Sequence, residues 1–385
     1  MIEHRIRVTR NGQAVGKLPA ERIPLDYPDM SWRADPAVGM DASGTIYAAM
    51  RMRVFTSADG GETWSSREVE VPERHVSADI KVYGTFGVSR EGALLWTYSF
   101  EGDAYVLRST NGGEGWEPWG KVEDKSPYAL AYGGQGSMTE LPDGTILWPV
   151  ILSAPSGEDV EERHQEAWKT GRWQGSASWT LHVYRSTDGG RTWPDKAPVQ
   201  PWAGETNILA LQSGRLLVVT RYQRHAVAPP PPNEPPELAE VAARATDGDA
   251  KWAGKRVFFA DSDDGGATWT NFRPLWRRTG GKMDLAHGEA HGHAVQLADG
   301  RVLVLHDCRY PYDLADVRAR VSHDEGQSWR PEVYHVSQGH GYAGSVVLED
   351  GTIVSVCGNT PLDAQAEPMA PWRAQVVRWR LPDEA

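Results

Sequence analysis

The chain has 385 residues, 40% of them hydrophobic and 24% charged, which suits a globular protein and excludes a disordered or collagen-like one. Its formal net charge of −12 opposes binding to nucleic acid or to an anionic membrane through the overall field, but leaves room for a local basic pocket. Only Cys308 and Cys357 are present, both in apolar strand-like runs, so neither a disulfide framework nor a multi-cysteine zinc site is expected.

The N-terminal MIEHRIRVTRNG carries charge where a secretion signal needs an apolar core, and no apolar run reaches the about 20 residues that span a bilayer. A cytoplasmic location with no membrane segment is the expectation. Along the chain, six segments read as an apolar strand, a tight turn and a second apolar strand: DASGTIYAAM, SREGALLWTY, LPDGTILWPV, LQSGRLLVVT, LADGRVLVLH and LEDGTIVSVC. They centre on Gly44, Gly92, Gly144, Gly214, Gly300 and Gly351, and Asp-Gly or Ser-Gly between β-branched runs is a hairpin signal.

Each of the first five is followed by one pattern, S-x-D-x-G-x-T-W: SADGGETW (57–64), STNGGEGW (109–116), STDGGRTW (186–193), SDDGGATW (262–269) and SHDEGQSW (322–329). A carboxylate or amide closes such a turn on backbone N–H groups, glycine permits a positive φ, and tryptophan buries a large ring. Hairpin plus second hairpin makes a four-stranded antiparallel blade, so the repeat predicts one domain over 1–385, an all-β six-bladed β-propeller. The sixth repeat lacks its box. Its last strand is expected at AQVVRWRL (374–381), with IEHRIRVT (2–9) pairing beside it to close the ring and remove exposed edges. Two insertions, about 154–176 and 224–255, are expected as rim loops, the second running from a polyproline stretch into a helix. They wall a pocket or pack on another copy of the chain, which makes a homo-oligomer an expected possibility.

The residues nine positions before the six hairpin glycines are Asp35, Tyr83, Gln135, Glu205, His291 and Tyr342. All are polar or phenolic where packing would favour Val, Ile or Ala, and the starts of inner strands surround a propeller's axis. Arg51 and Arg221 lie seven residues after their glycines, and Arg53 and Arg309 nine after. Arginines converging with glutamate and tyrosine make a carboxylate site, because the guanidinium fork fits a carboxylate. The segment MDLAHGEAHGHAVQL (283–297) sets His287, Glu289, His291 and His293 on one face of an extended strand, which suits sugar hydroxyls or acid/base work better than a metal. Trp32, Trp173 and Trp202, outside the boxes, are candidates for stacking on sugars.

These motifs together resemble the exo-sialidase superfamily of Asp-box (BNR-repeat) proteins over nearly the whole chain. GETNILALQSGRLLVVTR (204–221) is similar to the segment that carries that family's catalytic glutamate and a triad arginine, which places those roles on Glu205 and Arg221. GYAGSVVLEDGTIV (341–354) is similar to the segment with the nucleophilic tyrosine, here Tyr342, and HDCRYPYDLADVRARVSHDEGQSW (306–329), which resembles a common bacterial branch of sialidase-like proteins, makes Arg309 a further triad candidate. The first triad arginine is expected at Arg33 or Arg51. The family's acid/base aspartate has no counterpart on the shortened AAMRMRVFTSADGG segment, which leaves Asp35, Asp79 or His291 for that role.

The resemblance implies a retaining exo-glycosidase without cofactor or metal, acting on a terminal, acidic sugar such as sialic acid. Tyr83, Gln135 and His293 are further substrate-binding candidates. A uronate lyase using Tyr342 or His291 as base, and a non-catalytic carbohydrate-binding propeller, stand as alternatives.

Overall fold

The computed structural model describes residues 5–26, 35–50, 52–71, 85–100, 103–122, 129–133, 136–153, 179–224, 234, 255–275, 287–310, 315–339, 341–360, 368–369 and 373–382. The regular elements among them are all strands. None of the described elements is a helix long and apolar enough to cross a membrane. The two insertions lie almost wholly outside these residues, as does the helix expected in the second.

The chain opens on a hairpin of β1 (Arg5–Arg10) and β2 (Gln13–Leu25). Asn11 and Gly12, at φ 52° and 77°, turn it, the positive pair that a two-residue hairpin loop demands. Four sheets then follow in sequence. The first is β3 (Ala37–Met40), β4 (Ile46–Met50), β5 (Arg53–Ser57) and β6 (Ser65–Glu68); the second is β7 (Phe86–Val88), β8 (Leu94–Phe100), β9 (Asp103–Ser109) and β10 (Glu117–Val122). The third holds β11 (Ala129–Gly133), β12 (Thr139–Glu140), β13 (Ile146–Ser153), β14 (Trp179–Ser186) and β15 (Asp195–Pro201). The fourth holds β16 (Ala203–Ala210), β17 (Leu216–Gln223), β18 (Lys255–Ser262) and β19 (Thr270–Pro274). The remaining strands are β20 (His287–Gln296), β21 (Val302–Tyr310), β22 (Asp316–Ser322), β23 (Glu332–Gln338), β24 (Ala343–Val347), β25 (Ile353–Gly358) and β26 (Ala374–Trp379).

Four sheets stand apart, where the repeat predicts six separate blades. The other hairpins are fused into one nine-stranded sheet in the order β20-β21-β22-β23-β1-β2-β26-β25-β24. The cause is the N-terminal hairpin, which satisfies two open edges at once. β1 pairs with β23 (Arg7 opposite His335), and β2 pairs with β26 (Ala20 opposite Trp379). The expected partner of 374–381 was therefore off by one strand: β1, within 2–9, joins β23, and β2 takes the place assigned to it. Ile6 and Val8 of β1 are buried, so its apolar face belongs between two walls.

Six strands, each the first of a predicted hairpin, touch in a cycle: β3 neighbours β7, β7 neighbours β12, β12 neighbours β16, β16 neighbours β20, β20 neighbours β24, and β24 returns to β3. Apolar layers fill the gaps between consecutive sheets. Val38 and Ile46 pack with Val354 and Val376, for example, and Leu217 and Val219 pack with Val302 and Val304. The tryptophan turns work as the motif predicts. In the first, Ser57 Oγ donates to Asp59 Oδ1 (2.7 Å) and accepts from Gly61 N (2.9 Å), Thr63 N donates to Asp59 Oδ1 (3.0 Å), and Trp64 Nε1 donates to Gly61 O (3.0 Å).

Candidate functional site

Two β-bulges at the heads of neighbouring inner strands build the site. In β16 the register runs Ala203 opposite Tyr222 and then Thr206 opposite Thr220, so Gly204 and Glu205 together face Arg221. One extra residue in a strand re-aims the side chain beside it. The bulge is pinned by Thr220 Oγ1, which donates to Gly204 O at 2.7 Å, and by the Thr206 hydroxyl on the same carbonyl. Gly204 leaves room for the guanidinium: a Cβ on it would sit 3.1 Å from Arg221 Nη2, close enough that the side chain would have to shift. Arg221, on β17, donates from Nη1 to Glu205 Oε1 at 2.7 Å.

Tyr342 stands just before β24 and is fully buried. Its carbonyl accepts from Gly358 N (3.2 Å), and a Cβ on Gly341 would lie 2.3 Å from Gly358 Cα, so only glycine lets the chain pass there. The Tyr342 hydroxyl donates to Glu205 Oε1, the oxygen that Arg221 also holds. Residues 137 positions apart in sequence thus share one hydrogen bond.

The second bulge is in β20, between Ala290 opposite Asp307 and His293 opposite Leu305. His291 sits in it at φ 48°, and its ring lies flat on Tyr342 with centroids 4.2 Å apart and planes 5° apart. The bulge overturns the one-face reading of His287, Glu289, His291 and His293, because an inserted residue swaps the faces of everything beyond it. Glu289 turns to β18 and accepts Val257 N at 3.2 Å, whereas His293 turns to β24 and accepts Ser345 N on Nδ1 at 3.3 Å. Burial, followed by the neighbouring His291, pushes the His293 pKa down to about 3, so it stays a neutral acceptor. Among the described residues no group of three or more His, Cys, Asp or Glu side chains is placed to hold a metal ion.

The structure therefore brings Glu205, Arg221, His291 and Tyr342 together. Asp35 stands two residues before β3, whose neighbour is β24; the Pro36 carbonyl lies 3.2 Å from where a Cβ on Gly344 would be. Arg33, Arg51, Tyr83, Gln135, Asp79, Trp32 and Trp173 lie outside the described residues, and Arg309 is placed on β21 only as backbone. Arg53 faces away, donating to Ser66 (3.1 Å) and pairing with the exposed Glu68 (2.6 Å). Trp202 is a core residue, buried against Tyr222 and Phe258. An open cleft of about 560 Å³, lined by Gln212, Gln296, Asp299, Arg301, His323 and Glu325, lies at the hairpin-turn end of β16 and β20, the end opposite Glu205 and His291.

One arrangement was not foreseen. Glu234, inside the proline-rich insertion, accepts both Arg224 Nε (2.7 Å) and Nη2 (2.9 Å), and Tyr222 Oη at 2.7 Å. Burial, then the carboxylate, drives the Tyr222 phenol far above its usual value. It ties the insertion to the end of the strand that carries Arg221. An acid between two proline runs was the only signal in the sequence.

No curated protein matches the sequence. Among solved structures, a protein of unknown function from Dyadobacter fermentans aligns at 17% identity and TM-score 0.61, covering 97% of this chain and 99% of that one. A sialidase from Trypanosoma rangeli aligns at 14% identity and TM-score 0.55, covering 98% of this chain; the present chain spans 59% of that one. An α-L-arabinofuranosidase from Fusarium graminearum aligns at 14% identity and TM-score 0.57, covering 93% and 97%. At such identities these likenesses speak for the fold, a propeller-like all-β arrangement. Residues 94–355 match the BNR repeat-like domain, and with the cyclic sheets and tryptophan turns above this shows that the chain belongs to that family.

Proposed function

We propose that this protein is an exo-acting glycoside hydrolase that removes a terminal acidic sugar, sialic acid or a relative, with Tyr342 as nucleophile and Glu205 as its base. The observation that carries the reading is the Tyr342 hydroxyl donating directly to the buried Glu205 carboxylate. In the first step Tyr342 Oη bonds to the anomeric carbon as the glycosidic C–O bond breaks, and the phenol proton passes to Glu205. The leaving oxygen takes a proton from an acid. His291 lies flat on Tyr342, which favours Asp35 for that part. Water then attacks the anomeric carbon and gives a proton to the conjugate base of that acid, as the C–Oη bond breaks and Glu205 returns its proton to Tyr342. A neutral phenol suits an anomeric carbon that bears a carboxylate, where an anionic nucleophile would be repelled. Arg221, with Arg309 and Arg33 or Arg51, would hold that carboxylate.

The same reading counts the molecule as one six-bladed propeller. β20 to β23 form the fifth blade, and β24, β25, β26 and β2 form the sixth, welded by β1. The six inner strands that touch in a cycle support this count.

Rapid acid quench of the protein with an aryl sialoside, followed by mass spectrometry, tests the step directly. A glycosyl mass on the peptide carrying Tyr342, absent from Tyr342→Phe, is expected. An unsaturated, ultraviolet-absorbing product without that adduct would assign a lyase instead.

A further inference from the structure

Two groups among the described residues donate to Glu205 Oε1. It accepts the Tyr342 hydroxyl, and it accepts Arg221 Nη1 at 2.7 Å, with both members of this ion pair largely buried. A guanidinium on a carboxylate oxygen lowers that oxygen's affinity for a proton. The atom that would receive the phenol proton is thus held in the form least able to take it. The bulge enforces the pairing, because it sets Gly204 and Glu205 against Arg221 alone, and the bare Gly204 leaves room for the guanidinium. The guanidinium is also not filled: Arg221 Nε is buried and has no hydrogen-bond partner among the described residues.

We propose that the Arg221–Glu205 ion pair is a brake released by an anion. A substrate carboxylate draws Arg221 off Glu205, and the freed carboxylate then accepts the Tyr342 proton as the phenol oxygen attacks. The inference rests on Tyr342 and Glu205 being nucleophile and base, and adds a reason why the sugar must be acidic. A neutral sugar of similar shape would leave Arg221 on Glu205 and the base quenched. Release itself makes and breaks no covalent bond; one guanidinium exchanges one carboxylate for another. Specificity then comes from switching on the base as well as from affinity.

Calorimetric titration of the whole protein with pyruvate and with glucuronate as probes separates this from simple anion binding. If Glu205 competes for Arg221, then Glu205→Gln binds the probe about tenfold or more tightly than wild type, the worth of one charge-assisted hydrogen bond. Glu205→Asp does the same, since its shorter side chain keeps the charge but withdraws from the guanidinium. Arg221→Gln weakens binding about tenfold or more. Tightening in the glutamine variant alone would mean repulsion by the carboxylate's field and would overturn the brake, as would unchanged affinity in both variants or no binding to any protein. Thermal melts confirm that each variant is folded. A kinetic arm keeps the two claims apart: Arg221→Gln should raise turnover of a neutral aryl glycoside severalfold while lowering that of an acidic one. If the protein cleaves no glycoside yet the binding results hold, the catalytic reading fails and the competition stands. If acidic glycosides are cleaved and both Glu205 variants bind like wild type, the brake fails and the hydrolase stands.

Discussion

At the scale of single residues, the proposed chemistry is concentrated in one oxygen and one ring plane. Tyr342→Phe removes the proposed nucleophile while leaving the stacked ring in place, so turnover should fall about a thousandfold with thermal stability nearly unchanged. Replacing His291 by glycine probes the ring plane. Glycine accepts the φ of 48° without strain, which offsets the loss of a stacking contact worth about 1 kcal/mol. The variant should melt close to wild type, but kcat should drop about tenfold with KM unchanged, because Tyr342 loses the surface that orients it. Equal loss of kcat and of stability would make His291 a packing residue only. His293 makes a different prediction. Its pKa is pushed from 6.5 down to about 3 by burial, so the unfolded chain binds the extra proton, and stability is lost as pH falls from 6.5 towards 3. His293→Gln should flatten that part of the stability curve.

The offsets from the hairpin glycines made Glu205, His291 and Tyr342 visible as equivalent positions in the repeat, because a propeller returns the same strand offset to the same place around its axis. The offsets could not say which polar neighbours were structural. His291 and His293 alternate identically in the sequence, and only the bulge at Ala290/His293 sends one to Tyr342 and the other to Ser345. Bulges are poorly legible from residue types, though Gly204 and Gly292 mark both: a Cβ at Gly292 would lie 2.3 Å from Val219 Cγ1.

At the scale of elements, inner strands pass closely enough for glycine to be obligatory. A Cβ on Gly136 would meet the Thr206 carbonyl at 1.8 Å, so Gly136→Ala should destabilise the protein by about 2 kcal/mol, and it should also weaken activity by pushing the strand that carries Glu205. Chemical denaturation measures the first effect and steady-state kinetics the second. The tryptophan turns depend on ionised aspartates. Asp264 is held at about 2, below the usual 3.8, chiefly by the Thr268 hydroxyl and backbone N–H. A carboxyl whose folded pKa is depressed stabilises above its unfolded value and loses that contribution as pH falls through the folded one. The turn at Asp264 should therefore loosen between pH 3.8 and about 2. The box at Asn111, whose Oδ1 accepts Gly115 N at 3.0 Å, escapes this. Five boxes and six hairpins were legible because side-chain chemistry fixes them locally. The hairpin of β1 and β2 was missed although Asn11-Gly12 is a strong turn signal, because the long, largely exposed β2 lacks strand-like alternation.

At the scale of the whole molecule, the N-terminal hairpin turns a row of sheets into a cycle, since β1 and β2 join β23 to β26. Removing residues 1–26 should expose both edges, lower the melting temperature and promote self-association, which light scattering would detect. The site draws Arg221 and Glu205 from the fourth sheet, and His291 and Tyr342 from the two ends of the nine-stranded one. Local patterning fixes each strand, but a site of this kind exists only once the cycle is shut, which is why the sequence indicated its members and not their contacts. The central claim, that the Tyr342–Glu205 pair cleaves acidic glycosides, is tested most directly by assaying wild type and Tyr342→Phe on aryl glycosides of sialic acid, related keto-acids, uronic acids and rhamnose, following both aglycone release and ultraviolet-absorbing product. The account predicts aglycone release from an acidic sugar that vanishes in Tyr342→Phe; release from rhamnose alone, release that survives the substitution, or silence on every substrate would contradict it.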